Sequence, residues 1–182
     1  AIDLTKVEQY KKERTERKDN DPMVILHCGG FLPAKGQDLS ISLARRLKDN
    51  DINFKIILMG AVYDTPVSEN FLNKIRHEIS QYKLDDHVEI LLNQKDPYSV
   101  FKNSDILIHP SDTEGLPRVI MEAMAFEIPV IANPVGGVTD YILHNFTGYI
   151  ATHNNVDDYY EYIYKLYNDN ELYKFIAGNG KS

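Results

Sequence analysis

"DILIHPSDTEGLPRVIMEAMAFEIPVIAN", residues 105–133, runs from one apolar stretch through a polar turn and an Ala/Met-rich segment into a second apolar stretch. The flanking pieces, "DILIHP" (105–110) and "IPVIAN" (128–133), are short, rich in Ile, Leu and Val, and bounded by Asp, Pro and Asn. Those are marks of buried strands. Between them "SDTEGL" reads as a loop and 117–126 as a helix. Pro117 suits its first position, where the missing N–H has no partner to lose. Strand, loop, helix and strand make one βαβ unit, whose strands are parallel and whose crossover is right-handed.

The same pattern recurs along the chain. "MVILHC" (23–28), "FKIILMG" (54–60) and "HVEILLN" (87–93) read as further strands, and "GYI" (148–150) as a sixth. Their apolar character is nearly continuous, as strands covered on both faces require. Helices are expected at about 37–49, 67–83, 97–103, 156–168 and 170–178. In "VDDYYEYIYKLYN" (156–168), Tyr159, Tyr160, Ile163, Leu166 and Tyr167 fall on one helical stripe, which reads as a packing face. The expected fold is α/β, a Rossmann-like open parallel sheet of about six strands with helices on both faces. Such sheets bind ligands beyond the carboxyl ends of their strands, so the loops that follow strands are where chemistry is expected.

Bulk properties narrow the function. With 182 residues, 43% apolar and 26% charged, the chain can bury a sizeable core as one domain. A net charge of −7 argues against binding nucleic acid by neutralising phosphates. No apolar run approaches the ~20 residues needed to span a bilayer. The single cysteine, Cys28, lies in an apolar run and is expected to be a buried structural thiol in a reducing cytoplasm. Residues 1–21, with "KVEQYKKERTERKDND" mixing both charge signs, read as a linker or N-terminal helix segment, and 22–182 as the ligand-binding domain. Ala1 in place of Met and the polar ending "AGNGKS" read as the ends of a piece of a larger protein.

Two loops carry the chemistry. "CGGFLPAKG" (28–36) is neither a dinucleotide fingerprint nor a Walker loop. It nevertheless suits phosphate: glycines let the backbone approach an anion, Lys35 supplies a charge, and the next helix aims its N–H groups there. It reads equally as a strand-to-helix turn with a surface lysine. In the opening stretch, Glu114 lies in the loop and Glu122 one helical turn further along. A carboxylate accepts two hydrogen bonds at once, which suits vicinal sugar hydroxyls. Glu122 stands between Met121 and Ala123–Met124 on a helix that reads as buried nearly all round, so it needs a partner. "NQKDP" (93–97) reads as a base-pocket border or a plain cap. "NPVGGVTD" (133–140) is a Gly-Gly turn whose functional and structural readings are comparable. The triplets Asp19-Asn20-Asp21 and Asp49-Asn50-Asp51 precede strands, at the wrong end of the sheet for a metal site. The histidines show no ligand spacing.

"PSDTEGLPRVIMEAMAFEIPVIANPVGG" resembles the donor-site signature of the retaining glycosyltransferases of family 4, with Glu114 and Glu122 on its Glu-x7-Glu element. "CGGFLPAKG" is similar to that family's Gly-Arg-Leu-x-Pro-x-Lys-Gly segment. The likeness covers nearly the whole chain and implies the C-terminal, nucleotide-sugar-binding half of a two-domain GT-B fold, with the N-terminal acceptor domain absent. It implies retaining sugar transfer from a nucleoside diphosphate sugar in glycan or polysaccharide biosynthesis. Neither metal nor other cofactor is implied. The acceptor, a glycan or lipid-linked sugar, and any peripheral membrane contact would belong to the missing domain. By position, Lys35 would hold the diphosphate, Glu114 would have the catalytic place at the transferred sugar, and Glu122 would bind the ribose. Gly30, Gly115 and Leu116 would line the donor phosphates or sugar, Val119 the ribose, and Asn93 the base. The sequence departs twice: Gly30 stands where relatives have a diphosphate-binding arginine, and Pro117 where many have glycine. Arg118 lies near enough in sequence to replace that cation. Two rival readings are a nucleotide-sugar epimerase of similar architecture and a non-catalytic Rossmann-like nucleotide-binding module.

Overall fold

The structure, a computed structural model, describes residues 2–18, 20–115 and 117–180. Six strands form one parallel sheet: β1 (Met23–Cys28), β2 (Phe54–Gly60), β3 (Val88–Leu92), β4 (Ile106–His109), β5 (Val130–Ala132) and β6 (Tyr149–Ile150). Their order is β3-β2-β1-β4-β5-β6, and every neighbouring pair is parallel. The order therefore reverses between β1 and β4, where a crevice opens at the carboxyl ends.

Both sheet faces are covered, which explains the unbroken apolar runs. Along β1, Ile25 packs with one core cluster and Leu26 with the other. Along β4, Ile106 and Ile108 join the first cluster and Leu107 the second. All of these are fully buried, and each such side chain contributes roughly 1.5–3 kcal/mol. The first face carries α2 (Gln37–Asp49), α3 (Pro66–Gln81), α7 (Val156–Asn168) and α8 (Asn170–Gly180). The second carries α1 (Leu4–Lys12), α4 (Tyr98–Phe101), α5 (Arg118–Ala125) and α6 (Val138–Tyr141).

Local chemistry sets the helix ends. Thr65 caps α3 by accepting from Ser68 N–H, and Pro66 follows at its first turn. Asn155 caps α7 through Asp157 N–H. The tyrosine stripe of α7 is a packing face: Tyr159, Ile163 and Leu166 are buried, and Tyr160 and Tyr167 pack beside them. The charged opening segment is helical over α1, and Val7, 1% exposed, plugs into the second core cluster. Arg14 follows, donating to the carbonyls of Phe126 and Ser104.

Two expectations on α5 change. Pro117 is the residue before the helix, not its first residue: its ψ of 75° is not helical, and α5 begins at Arg118. Nor is α5 buried all round. Ile120, Ala123 and Met124 face the core, Glu122 is half-buried and Arg118 is exposed, because solvent and not a second layer covers the outer side.

Candidate functional site

Three loops meet at the carboxyl ends of β1, β4 and β5. After β1 the chain turns through Gly29–Gly30 into a short 3-10 turn (Pro33–Lys35) and then α2. The loop after β4 is tied to that turn, since Asp112 N–H and Ser111 Oγ both donate to Ala34 O, at 2.8 and 3.2 Å. From β5, the wholly buried Asn133 donates through Nδ2 to Ser111 O at 3.2 Å. Tyr159 of α7 reaches up to the same place, its hydroxyl donating to Asn133 Oδ1 at 3.1 Å. The Gly-Gly turn then closes on the glutamate loop. Gly136 has φ +52°, and a Cβ there would stand 1.9 Å from Glu114 O. Only glycine fits so close an approach in that conformation. The turn is therefore structural support for Glu114.

At the centre Lys35 Nζ donates to Glu114 Oε1 at 2.6 Å. His109, the last residue of β4 and 4% exposed, brings Nε2 to 3.1 Å from the same oxygen, although its N–H is not aligned for a straight hydrogen bond. Contact with His109 first, and then Lys35, holds the Glu114 carboxyl down to about 2 against the opposing effect of burial. Glu114 is thus an anion at neutral pH: it accepts hydrogen bonds and has no proton to give. Beneath it His27 of β1 is buried, with Nδ1 2.7 Å from Ser40 Oγ. Burial, and then the neighbouring His109, push its pKa down to about 3, so it is neutral.

Glu122 has different surroundings. Its side chain is 17% exposed and its Oε1 lies 4.0 Å from Arg118 Nη2, one turn away. Burial raises its pKa, opposed by Arg118 and the Tyr98 hydroxyl. Its charge and above all burial push the nearby Cys28 thiol up to about 12, which makes that sulfur an inert thiol. Glu114 is paired with Lys35 and His109, and Glu122 with Arg118 and Tyr98.

The sequence pattern of the family described as "Glycosyl transferases group 1" matches residues 8–182, almost the whole chain. The chain belongs to this family. It is 35% identical over 158 residues to an uncharacterized glycosyltransferase of Methanocaldococcus jannaschii, covering 86% of this chain and 41% of that protein. Over 173 residues it is 28% identical to the capsular polysaccharide biosynthesis glycosyltransferase CapM of Staphylococcus aureus, covering 93% and 43%. Among solved structures, Anabaena Alr3699/HepE in complex with UDP and glucose superposes with a TM-score of 0.81 at 21% identity, over 99% of this chain and 47% of that one. A C-terminal domain of a group 1 glycosyl transferase (LpcC) from Francisella tularensis superposes with a TM-score of 0.79 at 20% identity, over 100% and 95%. The chain thus spans less than half the length of both relatives. Its fold is that of a C-terminal domain, the Rossmann-like half of a GT-B arrangement.

Within this group 1 domain the structure gathers only some of the residues singled out in the sequence. Lys35 and Glu114 touch. Gly115 is exposed beside them, its carbonyl 3.3 Å from Gly137 N. Val119 packs on the second core cluster near the start of α5. Asn93 is exposed at the end of β3 in a left-handed conformation, φ +51°, and donates its N–H to Gly60 O. Gly30 is covered by the Tyr63 ring. Leu116 lies outside the described residues, as does Asp19 of the first Asp-x-Asp triplet. The structure adds His109, Ser111, Asn133 and Tyr159. The sequence marks the first three only by their place at or just after strand ends; it does not mark Tyr159, because a core-facing tyrosine looks the same whatever its hydroxyl meets.

A cavity of about 680 Å³ lies at the other end of the sheet, between residues 11–18 and α7–α8. Its Arg14 is spent on the Phe126 and Ser104 carbonyls and the Tyr173 hydroxyl, and it stands where strands begin. The smaller groove of about 300 Å³, lined by Pro33, Gly36, Asp112 and Asn154, borders the glutamate loop. The chemistry points to that end. Among the described residues, no helix is long and apolar enough to cross a membrane.

Proposed function

We propose that the chain is the donor-binding domain of a retaining hexosyltransferase of family 4, which moves a sugar from a nucleoside diphosphate sugar to a glycan or lipid-linked acceptor in polysaccharide biosynthesis. The observation that carries this reading is the Lys35–Glu114–His109 cluster at the carboxyl end of β4, where the strand order reverses. In transfer, the bond from the anomeric carbon to the diphosphate breaks, the acceptor oxygen takes its place on the same face, and the acceptor's hydroxyl proton passes to the departing diphosphate. Charge grows on the departing diphosphate. A fixed cation and backbone N–H groups stabilise it most in a site that excludes water. Lys35 supplies the cation without a metal, and the amides of Gly30 and Gly115 supply donors, the Gly29 N–H being bonded to Met59 O. Glu114, held anionic, accepts from the sugar hydroxyls, and Glu122 from the ribose. Val119 packs on the ribose, and Asn93 borders the base. UDP in the Anabaena neighbour and capsular polysaccharide synthesis in the Staphylococcus relative both support this class of donor and product.

Calorimetric titration of the chain with UDP, GDP and ADP tests the proposal. One of them is expected to bind, and Glu122→Ala to weaken it by roughly 1.5–3 kcal/mol through loss of charge-assisted hydrogen bonds. Equal affinity in variant and parent removes Glu122 from the ribose. The product anomer formed by the full-length enzyme, read by NMR coupling constants, decides between retention and inversion.

A further inference from the structure

The loop after β2, residues 61–65, carries Tyr63, a residue with no role in the reading above. Its ring lies on Gly30. A Cβ added to Gly30 would stand 2.6 Å from the Tyr63 hydroxyl oxygen and 2.7 Å from ring atom Cε2, so the ring occupies the space a side chain at position 30 would take. On the neighbouring residue, a Cβ added to Gly29 would meet the stem of Lys35 at 3.7 Å. Tyr63 and Lys35 thus flank one dipeptide at the carboxyl end of β1.

The placement is built in. Tyr63 N–H donates to Ser68 Oγ at 3.0 Å, and that fully buried hydroxyl donates to Phe31 O at 2.8 Å. Phe31 N–H returns a bond to Ala61 O at 2.8 Å, so the two loops are laced together. On the other side Gln37 Nε2 fixes Gly30 O at 3.0 Å. The ring packs on Gly30 with one side and is 48% exposed, so its outer part stays open to solvent. Among the described residues its hydroxyl makes no hydrogen bond. A rigid loop therefore presents an unspent O–H donor beside the lysine of the site.

We propose that Tyr63 is a donor-binding residue, its hydroxyl donating to the diphosphate of the nucleotide sugar, and that Gly30 is its matched partner, bare so that the ring can sit there. The inference rests on the nucleotide-sugar reading above. Its consequence is a phosphate grip with one cation and one neutral donor on the two flanks of the Gly-Gly turn. A neutral donor makes the grip less sensitive to salt than a second cation would.

The test is binding of UDP, GDP and ADP and of the matching monophosphates to the parent chain, Tyr63→Phe, Gly30→Ala and the double variant. Tyr63→Phe keeps the ring and removes only the O–H. It is expected to weaken the best-bound diphosphate about tenfold, leave its monophosphate unchanged and leave the thermal midpoint unchanged. Gly30→Ala displaces the ring and is expected to give the same selective loss. The double variant is expected to be no weaker than either single one, because both changes remove one interaction. If Tyr63→Phe keeps the parent's ratio of diphosphate to monophosphate affinity, this inference alone falls. Independent, additive losses in the double variant break the pairing of the two positions. A parent chain that binds no diphosphate overturns the nucleotide-sugar reading and this inference with it.

Discussion

Glu114 and His27 make the site sensitive to acid, each through a pKa held below its ordinary value. The Glu114 carboxyl, in contact with His109 and Lys35, titrates at about 2 where the ordinary value is 4.5. His27, buried under the site, titrates at about 3 where the ordinary value is 6.5. In both cases the unfolded chain takes up its proton at higher pH than the folded one, so folding is favoured above the ordinary value and loses ground as pH falls. His27 withdraws stability from pH 6.5 downward, and Glu114 adds a second loss from 4.5 towards 2. Each group steepens the dependence by at most about 1.4 kcal/mol per pH unit. Urea midpoints measured from pH 7 to pH 4 are expected to fall, and His27→Gln to flatten the slope above pH 4.5 while the loss below it persists. An unchanged slope in the variant would show that other groups carry the effect. The sequence displayed Glu114 plainly, as a carboxylate in a Gly/Pro loop. It gave no sign of His27, because a histidine in an apolar strand reads as core, and for His109 it offered only a place at a strand end.

At the scale of elements, the β4–α5 loop has one bond of its own, Ser111 Oγ to Thr113 O, and is otherwise held by its neighbours. Ala34 O, Asn133 and the Gly136–Gly137 turn fix it from the β1 and β5 loops. Gly136→Ala tests that support. Its methyl would meet Glu114 O at 1.9 Å in a left-handed conformation, so a cost of roughly 2–4 kcal/mol in urea stability is expected, with nucleotide binding lost alongside. Gly178→Ala is the control. It sits in α8 with nothing within 4 Å of its Cβ, and is expected to be neutral or stabilising by about 0.5–1 kcal/mol. Equal costs for the two would mean that the close approach is not what matters at Gly136. The one-turn α6 is too short to show helical spacing and α1 reads as linker or helix, but every strand and every other helix is legible in the sequence, because apolar runs and helical spacing are local signals. The end of α5 is not: a proline preceding a helix and one opening it look alike, and the ψ of Pro117 decides.

Across the whole molecule, the parallel order β3-β2-β1-β4-β5-β6 gathers residues from positions 27 to 159 at one end of the sheet. The chain covers less than half the length of these relatives. We expect the isolated chain to bind nucleotide weakly and to release no detectable product from a donor sugar and acceptor, whereas the full-length enzyme turns over. Turnover by the isolated chain in a coupled nucleotide-release assay would place the whole reaction in this half. The sequence by itself determined the α/β class, the strands and helices, and the two loops with Lys35 and Glu114, because periodicity, turn residues and a Glu-x7-Glu spacing are properties of neighbours along the chain. Only the tertiary structure decided which groups meet. Lys35 and Glu114 are 79 residues apart and become an ion pair at 2.6 Å; Tyr63 covers Gly30; Gly136 passes under Glu114. Those contacts depend on strand order and loop lacing, which no local pattern encodes.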